Sequence, residues 1–514
     1  MSNVVSAILL DTRGIQKYVF SSNKLKTNIG ASYLVDVIFS EWMKNIVEKE
    51  NKVEKNKCEI TYIGGGNMLI FVDDDDELKL CKKIVGEWSK KVLLEAPGLK
   101  TGVALTNKFD KSKEKYQESR NELYKQLKAN QNNIMPNVDL PYTGLTLECD
   151  FTGKVADSES KLVDNSTGKV DVRKVSAEAY AKLDAATKAD AKLVEDYFDN
   201  LRINENNYGF VSEIEKIGYQ KGESYISVIH IDGNNMGVKF RECKDLEAYK
   251  ALSGKVVQAV KNAFSNLLGD IYNDYPYDKK YIDNNIKDSD NKILLPIRPI
   301  IIGGDDVTFV CPGRLGLDYA KKYVEYALAE KVIGDSGLSC CAGVAIVPAK
   351  YPFFRAYELA EQLCSVAKKK SRQDDSSWLE FAILHGEAYP ELEQLRQNQY
   401  VGVGKRNMHY GPYLIGNPAH SHSIDNLFAL RKALWKLHKD SRNKLKGLRE
   451  VLFKDDHSIK VYLEKNKALV ENLQKDDGIS FDVDLLWETV DGVETTRFID
   501  AIEIMDYVVP EEEK

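Results

Sequence analysis

The chain has 514 residues, too many for one ordinary hydrophobic core, so three or four units of about 100–200 residues are expected. Its 72 basic and 79 acidic side chains leave a net charge of −7, which excludes a long electrostatic groove for duplex DNA but admits small phosphates carried with a divalent cation. Eight cysteines without a C-x-x-C pair or a histidine at ligand spacing exclude a zinc ribbon and a disulfide framework and fit a reducing cytoplasm; the N-terminus lacks the basic region of a signal peptide, and no apolar stretch reaches the length of a membrane span.

In chain order, VVSAILL (4–10) predicts a buried strand ending at Asp11, and GASYLVDVIFSEWMKNIVEK (30–49) has apolar residues at helical spacing. ITYIGGGNMLIFV (60–72) predicts a hairpin around a glycine turn. The run DDDDE (73–77) reads as a solvated loop, because neighbouring side chains in an extended chain point to opposite faces and do not converge on a metal. Residues 107–222 are polar and lysine-rich, with turn residues near 130–145 and a helix-like stretch at 176–200, and read as an insert. The order then repeats: SYISVIHID (224–232) is a strand ending at Asp232, residues 246–268 form an amphipathic helix, and IRPIIIGGDDVTFV (297–310) is a hairpin. Residues 269–292 lack apolar periodicity and predict an exposed loop. From residue 386 the pattern is helical, and residues 423–450 carry eight basic against three acidic side chains, either a solvated face or a docking surface for a partner or a phosphate backbone.

The spacing within the two halves tests the repeat. Aligning the turns puts Gly64 and Gly65 on Gly303 and Gly304, and Gly66 and Asn67 on Asp305 and Asp306. Asp11 to Ser32 is 21 positions, as is Asp232 to Ser253; Gly66 to Gly102 is 36 and Asp305 to Gly343 is 38. Matching offsets on both sides of the turn indicate a duplicated α/β domain.

Asp232 closes one strand of the second half, and Asp305 and Asp306 occupy the neighbouring turn, so three carboxylates converge at one sheet edge. Adjacent carboxylates repel unless a cation lies between them, and Mg²⁺ takes one or two carboxylates together with waters and substrate phosphates. Two such ions suit nucleotidyl transfer. The glycines let a triphosphate approach the backbone, and Lys368, on the helix AYELAEQLCSVAKKK, lies where a terminal phosphate could be held. Taken singly, GGDD is also an ordinary hydrated turn and Lys368 an ordinary surface lysine.

IDGNNMG, IIGGDDVTFV, CCAGVAIVPAKYPFFRAYELAEQLCSVAKKK and WLEFAILHG together resemble the second palm domain of the large polymerase-like subunit of type III CRISPR effectors, within the wider palm and GGDEF cyclase group. IQKYVFSSNKLKTNIGASYLVDVI with YIGGGNMLIF is similar to the first palm of that family, and SHSIDNLFALRKAL to its helical C-terminal domain. The resemblance implies an α/β architecture of two ferredoxin-like palms, at 1–106 and 223–385, with a mainly helical insert at 107–222 and a helical domain at 386–514. It implies a metal-dependent nucleotidyltransferase that joins nucleoside triphosphates, usually ATP, into short cyclic oligonucleotides that switch on defence effectors, with two Mg²⁺ or Mn²⁺ ions as cofactors. Carried over by position, Asp232, Asp305 and Asp306 are the catalytic carboxylates and, with Gly233, the metal ligands. Gly303, Gly304 and Lys368 contact the nucleotide, and Ser32 and Ser253 face two bases, unless they are helix caps or small packing residues.

Three departures qualify the transfer. The first turn, GGGN, cannot supply carboxylates and would hold an acceptor nucleotide; no histidine is followed by aspartate, so HD nuclease activity is not expected; and no zinc-ligand spacing is present. Asn234 stands where members often carry an acid, which leaves the ligand number open. A stand-alone synthase in antiviral signalling is the leading expectation. The alternatives are an RNA-guided complex subunit with protein partners and RNA-controlled palms, and a nucleotide sensor without catalysis.

Overall fold

The apolar run at the N-terminus forms β1 (Val4–Arg13), and every residue from Val5 to Leu10 is buried, as in a strand covered on both faces. The computed structural model describes residues 3–54, 57–73, 75, 77–133, 144, 146–163, 170–217, 225–278, 287, 291–333, 336–386, 391–467 and 486–507. Gly14, in the left-handed region at φ +60°, turns the chain into α1 (Ile15–Val19), followed by α2 (Leu25–Val37), a π-helical turn (Ile38–Met43) and α3 (Lys44–Val53). The hairpin β2 (Cys58–Gly64) and β3 (Asn67–Val72), the helix α4 (Lys79–Glu95) and β4 (Lys100–Asp110) complete an antiparallel sheet ordered β2-β3-β1-β4. This is the ferredoxin-like arrangement. Helix α5 (Tyr116–Asn132) packs on β4, so the elements of the first sheet run past residue 106.

The acidic run after β3 departs from a uniformly solvated loop. Asp73 is exposed, but Asp75 is buried, its carboxylate accepting the backbone N–H groups of Leu80 and Cys81 at 3.2 and 2.9 Å at the start of α4. Asp74 and Asp76 lie outside the described residues.

Within the insert, the hairpin β5 (Ser158–Val163) and β6 (Val170–Val175) leads to α6 (Ala177–Leu201), whose N-terminus is capped by the Ser176 hydroxyl. Helix α6 crosses α2 so closely that a Cβ on Gly30 would come within 1.7 Å of the Lys182 carbonyl oxygen. Of the turn region expected at 130–145, residues 134–143 and 145 lie outside the described residues. The chain then passes through β7 (Tyr208–Phe210) and α7 (Ile214–Ile217).

The second unit comprises β8 (Tyr225–Gly233), α8 (Met236–Arg241), α9 (Leu246–Asp278), β9 (Ile293–Leu295), β10 (Arg298–Gly303), β11 (Asp306–Pro312), α10 (Gly316–Ala329), β12 (Lys331–Ile333), β13 (Ser336–Gly337), β14 (Cys340–Pro348), α11 (Phe353–Ser371) and β15 (Ser377–Ile383). Its sheet begins β10-β11-β8-β14, the order of the first sheet, and continues into β15 through a parallel α11 crossover. The loop expected at 269–292 is helical as far as Asp278: Leu267, Leu268 and Ile271 keep a buried stripe on α9, which carries the helix beyond the point where the sequence pattern fades. Residues 279–286 and 288–290 lie outside the described residues.

After residue 386 come α12 (Leu392–Gln399), β16 (Tyr413–Ile415), α13 (Ile424–Leu452), α14 (Asp456–Lys465), the hairpin β17 (Glu488–Val490) and β18 (Val493–Thr495), and the helix α15 (Phe498–Glu503). Strand β16 joins the second sheet beside β15. Buried His409 ties this region down, its Nε2 2.6 Å from Glu380 Oε1 of β15 and its Nδ1 2.8 Å from Asp500 Oδ1 of α15. Part of the basic face of α13 is paired internally, Arg442 with Asp506 and Arg449 with Glu503. Among the described residues no helix is long and apolar enough to cross a membrane.

The strand register corrects one equivalence. Asp11 stands opposite Asn67 and Gly102, and Asp232 stands opposite Asp306 and Cys341. The counterpart of Gly102 is therefore Cys341, not Gly343, and the offset from Gly66 to Gly102 and from Asp305 to Cys341 is 36 in both halves.

Candidate active site

The strand pairing brings the three acids together. Asp232 ends β8, its register partner Asp306 opens β11, and Asp305 occupies the turn between β10 and β11 with Gly304 at φ +62°. The Asp305 carbonyl accepts the Gly233 N–H at 3.1 Å, and a Cβ on Gly233 would lie 2.9 Å from Asp305 Cβ, so glycine is needed where the strand end meets the turn. From α11, Lys368 Nζ hydrogen-bonds Asp232 Oδ2 and the Gly233 carbonyl, the latter at 3.2 Å. The lysine predicted to hold phosphate thus stands at the acids themselves.

Burial and the neighbouring Asp232 charge raise the Asp305 carboxyl to about 7 and the Asp306 carboxyl to about 8. The side chain of Asp306 is 30% exposed, yet its Oδ1 is buried and accepts no hydrogen bond of good geometry, although His230 Nδ1 lies 3.3 Å away. His230 is itself held 3.2 Å from Thr308 Oγ1, and burial lowers its pKa, which keeps the ring neutral. No group of three or more His, Cys, Asp or Glu among the described residues is drawn to metal-ligand spacing.

A cavity of about 330 Å³ opens on this edge, lined by Asp232, Gly233, Asn234, Asn235, Met236, Gly237, Asp305, Lys368, Ser371 and Arg372. Sequence reasoning missed Arg372, although its position four residues beyond Lys368 puts the two on one face of a helix end. Asn234 does not extend the acid set: its Nδ2 donates to the Ser376 carbonyl at 3.0 Å. Asn235, left-handed at φ 55°, donates to Asp375 at 2.9 Å and closes the rim.

Ser32 and Ser253 lie within α2 and α9 rather than at a helix cap, Ser32 half-buried and Ser253 buried. Ser253, on α9, lines a cavity of about 190 Å³ between the units, together with Gly64, Gly65 and Asn67 of the first turn and Gly304 and Asp305 of the second. Ser32, on α2, lines another of about 240 Å³ against Pro299, Ile300 and Ile302 of β10, with Lys192, Lys261 and Arg298 at its edge. Each serine therefore faces the opposite unit, and the two turns meet between them: a Cβ on Gly304 would lie 3.4 Å from the Gly65 backbone.

Comparison with known proteins agrees with this architecture. Residues 225–377 match the family described as Cas10/Cmr2, second palm domain. Among solved structures the chain is similar to one from the Csm1–Csm4 cassette in complex with cA4, at 12% identity and a TM-score of 0.57, covering 99% of this chain and 70% of the other. It is similarly related to chains from the apo cassette (14%, TM-score 0.54) and from the cassette in complex with cA3 (13%, TM-score 0.53), with the same coverage. No curated protein matches at a significant level. Residues 225–377 of the second unit are thus a palm domain of the Cas10/Cmr2 type, and the chain as a whole shares the fold of those cassette chains.

Proposed function

We propose that the protein is a metal-dependent nucleotidyltransferase that joins nucleoside triphosphates, ATP foremost, into short cyclic oligonucleotides acting as second messengers in antiviral defence. The observation that carries this reading is the meeting of Asp232, Asp305, Asp306 and Lys368 at one sheet edge, beside an open cavity and against the glycine turn of the first unit. Likeness to cassette chains solved with cA4 and cA3 supports the product class.

The carboxylates of Asp232, Asp305 and Asp306 and the Gly233 carbonyl are the groups that would hold Mg²⁺ or Mn²⁺. Their all-oxygen chemistry and the orphaned Asp306 Oδ1 fit a hard cation. When bound, such ions activate a 3′-hydroxyl and neutralise charge on departing pyrophosphate. Lys368 and Arg372, one helical turn apart, hold the β- and γ-phosphates, while Gly303 and Gly304 admit the triphosphate close to the backbone. Ser253 and Ser32, in cavities shared between the units, contact donor and acceptor nucleosides. The 3′-oxygen attacks the α-phosphorus, the bond to the β-phosphate oxygen breaks, pyrophosphate leaves, and the hydroxyl proton passes to solvent.

A second reading makes the chain a subunit of an RNA-guided complex whose palms respond to target RNA and whose partners include regulatory or effector proteins. Likeness to chains of a two-protein cassette favours it. Purified protein incubated with each NTP and Mg²⁺ or Mn²⁺, beside an Asp305→Ala, Asp306→Ala variant, tests the first reading by mass spectrometry. A short oligonucleotide missing from the variant reaction is expected. Equal product from the variant overturns the site, and a silent lone chain that copurifies with RNA and other subunits favours the second reading.

A further inference from the structure

The cavities that hold Ser32 and Ser253 are built on one pattern but walled by different chemistry. Four residues beyond each serine, one helical turn along the same face, stands Asp36 in the first unit and Val257 in the second, and each lines its own serine's cavity. The equal spacing makes these two residues counterparts in the duplication. The Ser253 cavity is completed by the rings of Tyr62, Phe240 and Tyr249, and among the described residues Asp305, proposed above as a metal ligand, is the one charged side chain on its wall. The Ser32 cavity is completed by Tyr33 and by charge: besides Asp36 it is lined by Lys192, Asp196, Lys261 and Arg298.

Much of that charge comes from the insert. Ala189, Lys192, Leu193, Asp196 and Tyr197 of α6 present one helical face to the cavity. Helix α6 is fixed against the first unit, where its buried Lys182 donates to the Tyr18 carbonyl at 2.7 Å and to Ser21 Oγ at 2.8 Å. Lys192 Nζ hydrogen-bonds Asp36 Oδ2, an oxygen that also accepts a 3.1 Å hydrogen bond from Ser40 Oγ. The Asp36 side chain is 56% exposed and that of Lys192 38%; an ion pair this open to water contributes little to stability, so it parts readily for a ligand. Arg298, 1% exposed, lines the same cavity, and its Nε and Nη1 make no hydrogen bond of good geometry, although Asp190 Oδ1 lies 2.5 Å from Nη1. A ligand in this cavity meets a carboxylate acceptor together with cationic donors, whereas a ligand in the other meets mainly aromatic and aliphatic walls.

We propose that Asp36 and Lys192 read the base of the nucleotide in the Ser32 cavity, while the Ser253 cavity accepts its base mainly by shape and stacking. A base with an exocyclic amino group beside a ring nitrogen, as in adenine, offers the carboxylate a donor and the ammonium an acceptor; a base without the amino group leaves the carboxylate without its hydrogen bond. A site that hydrogen-bonds a substrate group rejects an analogue lacking that group far more strongly than an apolar pocket does. The inference rests on the nucleotidyltransferase reading and adds that the two nucleotides of the first linkage are selected unequally, one of them by polar contacts that the insert supplies.

The test uses a nucleotide that can act only as donor. 3′-Deoxyadenosine triphosphate has no attacking hydroxyl, so pairing it with purine riboside triphosphate, which lacks adenine's amino group, puts the analogue in the acceptor place; ATP with the 3′-deoxy form of the analogue puts it in the donor place. Dinucleotide yield is read by mass spectrometry against ATP with 3′-deoxyadenosine triphosphate, for the wild-type chain, Asp36→Val and Lys192→Met. The wild type is expected to use the analogue about ten- to a hundredfold less well than adenine in one place and within about threefold in the other. Asp36→Val, which gives the first unit the second unit's residue, and Lys192→Met should bring adenine down to the analogue's level in the selective place, with the thermal unfolding midpoint unchanged. Equal use of the analogue in both places by the wild type overturns the proposal and leaves the nucleotidyltransferase reading intact, as does an unequal use that persists in both variants. A wild-type chain that makes no dinucleotide from ATP and 3′-deoxyadenosine triphosphate defeats that reading, and base selection falls with it.

Discussion

Asp11 and Asp232 close the first strands of two sheets with the same order, yet their surroundings differ in charge. In the second unit Asp232 faces Asp306 across the ladder and is paired with Lys368, fifteen positions after the first residue of α11. In the first, Asp11 faces Asn67 and accepts a 2.8 Å hydrogen bond from Gln131, fifteen positions after the first residue of α5. Acid–acid–lysine has become acid–asparagine–glutamine on one backbone. Burial raises the pKa of Asp11, and Gln131, the strongest opposing influence, is a neutral donor. The framework that gathers side chains at the sheet edge is thus separable from the charges placed on it.

The sharpest break in this comparison is removal of the acids. Asp305→Ala with Asp306→Ala is expected to reduce product formation by at least about a thousandfold, whereas Asp11→Ala should leave most of it, as read by oligonucleotide yield. Next comes the attachment of the C-terminal helices, which reaches the second sheet through His409. Burial and Arg396 lower the pKa of that imidazole, but Asp500 and Glu380 outweigh them and raise it to about 9. A folded pKa above the unfolded value of about 6.5 gives stability that is complete below pH 6.5 and is lost as pH rises toward 9, about 3 kcal/mol by linkage. Thermal unfolding between pH 6 and 10 should show that slope, and His409→Phe should remove it.

Lys368→Gln would give the second unit the first unit's partner. It should cost about ten- to a hundredfold in turnover, the scale of a lost charge-assisted hydrogen bond, with KM for the triphosphate rising. The smallest effect is expected from Gln131→Ala: no more than about 1 kcal/mol in stability and unchanged product formation. A large loss of activity there would show that the first unit's acid still acts chemically.

The duplication and the acidic turn were legible because both lie in short contiguous runs, IGGGNM and IGGDDV, flanked by apolar strands. Register was less legible. TGVALT and AGVAIV look alike, but Gly102 makes room for Gln131, which would lie 2.5 Å from a Cβ there, whereas Gly343 makes room for the Ala360 carbonyl, at 2.0 Å. Each glycine admits a crossing helix at a different depth, so similar words sit two residues apart on equivalent strands. The Gln131–Lys368 equivalence was hidden because the connections from Gly102 to Tyr116 and from Cys341 to Phe353 differ in length.

The contact of Gly65 with Gly304 lies where a symmetric pair of identical domains would place its twofold axis. On a true axis each turn would meet its own copy, and any substitution would be made twice. Here both turns belong to one polypeptide, so their encounter is unimolecular and dilution does not part them. One turn is free to drift while the other keeps its acids, which is how a duplicated sheet can divide labour that a homodimer must share equally.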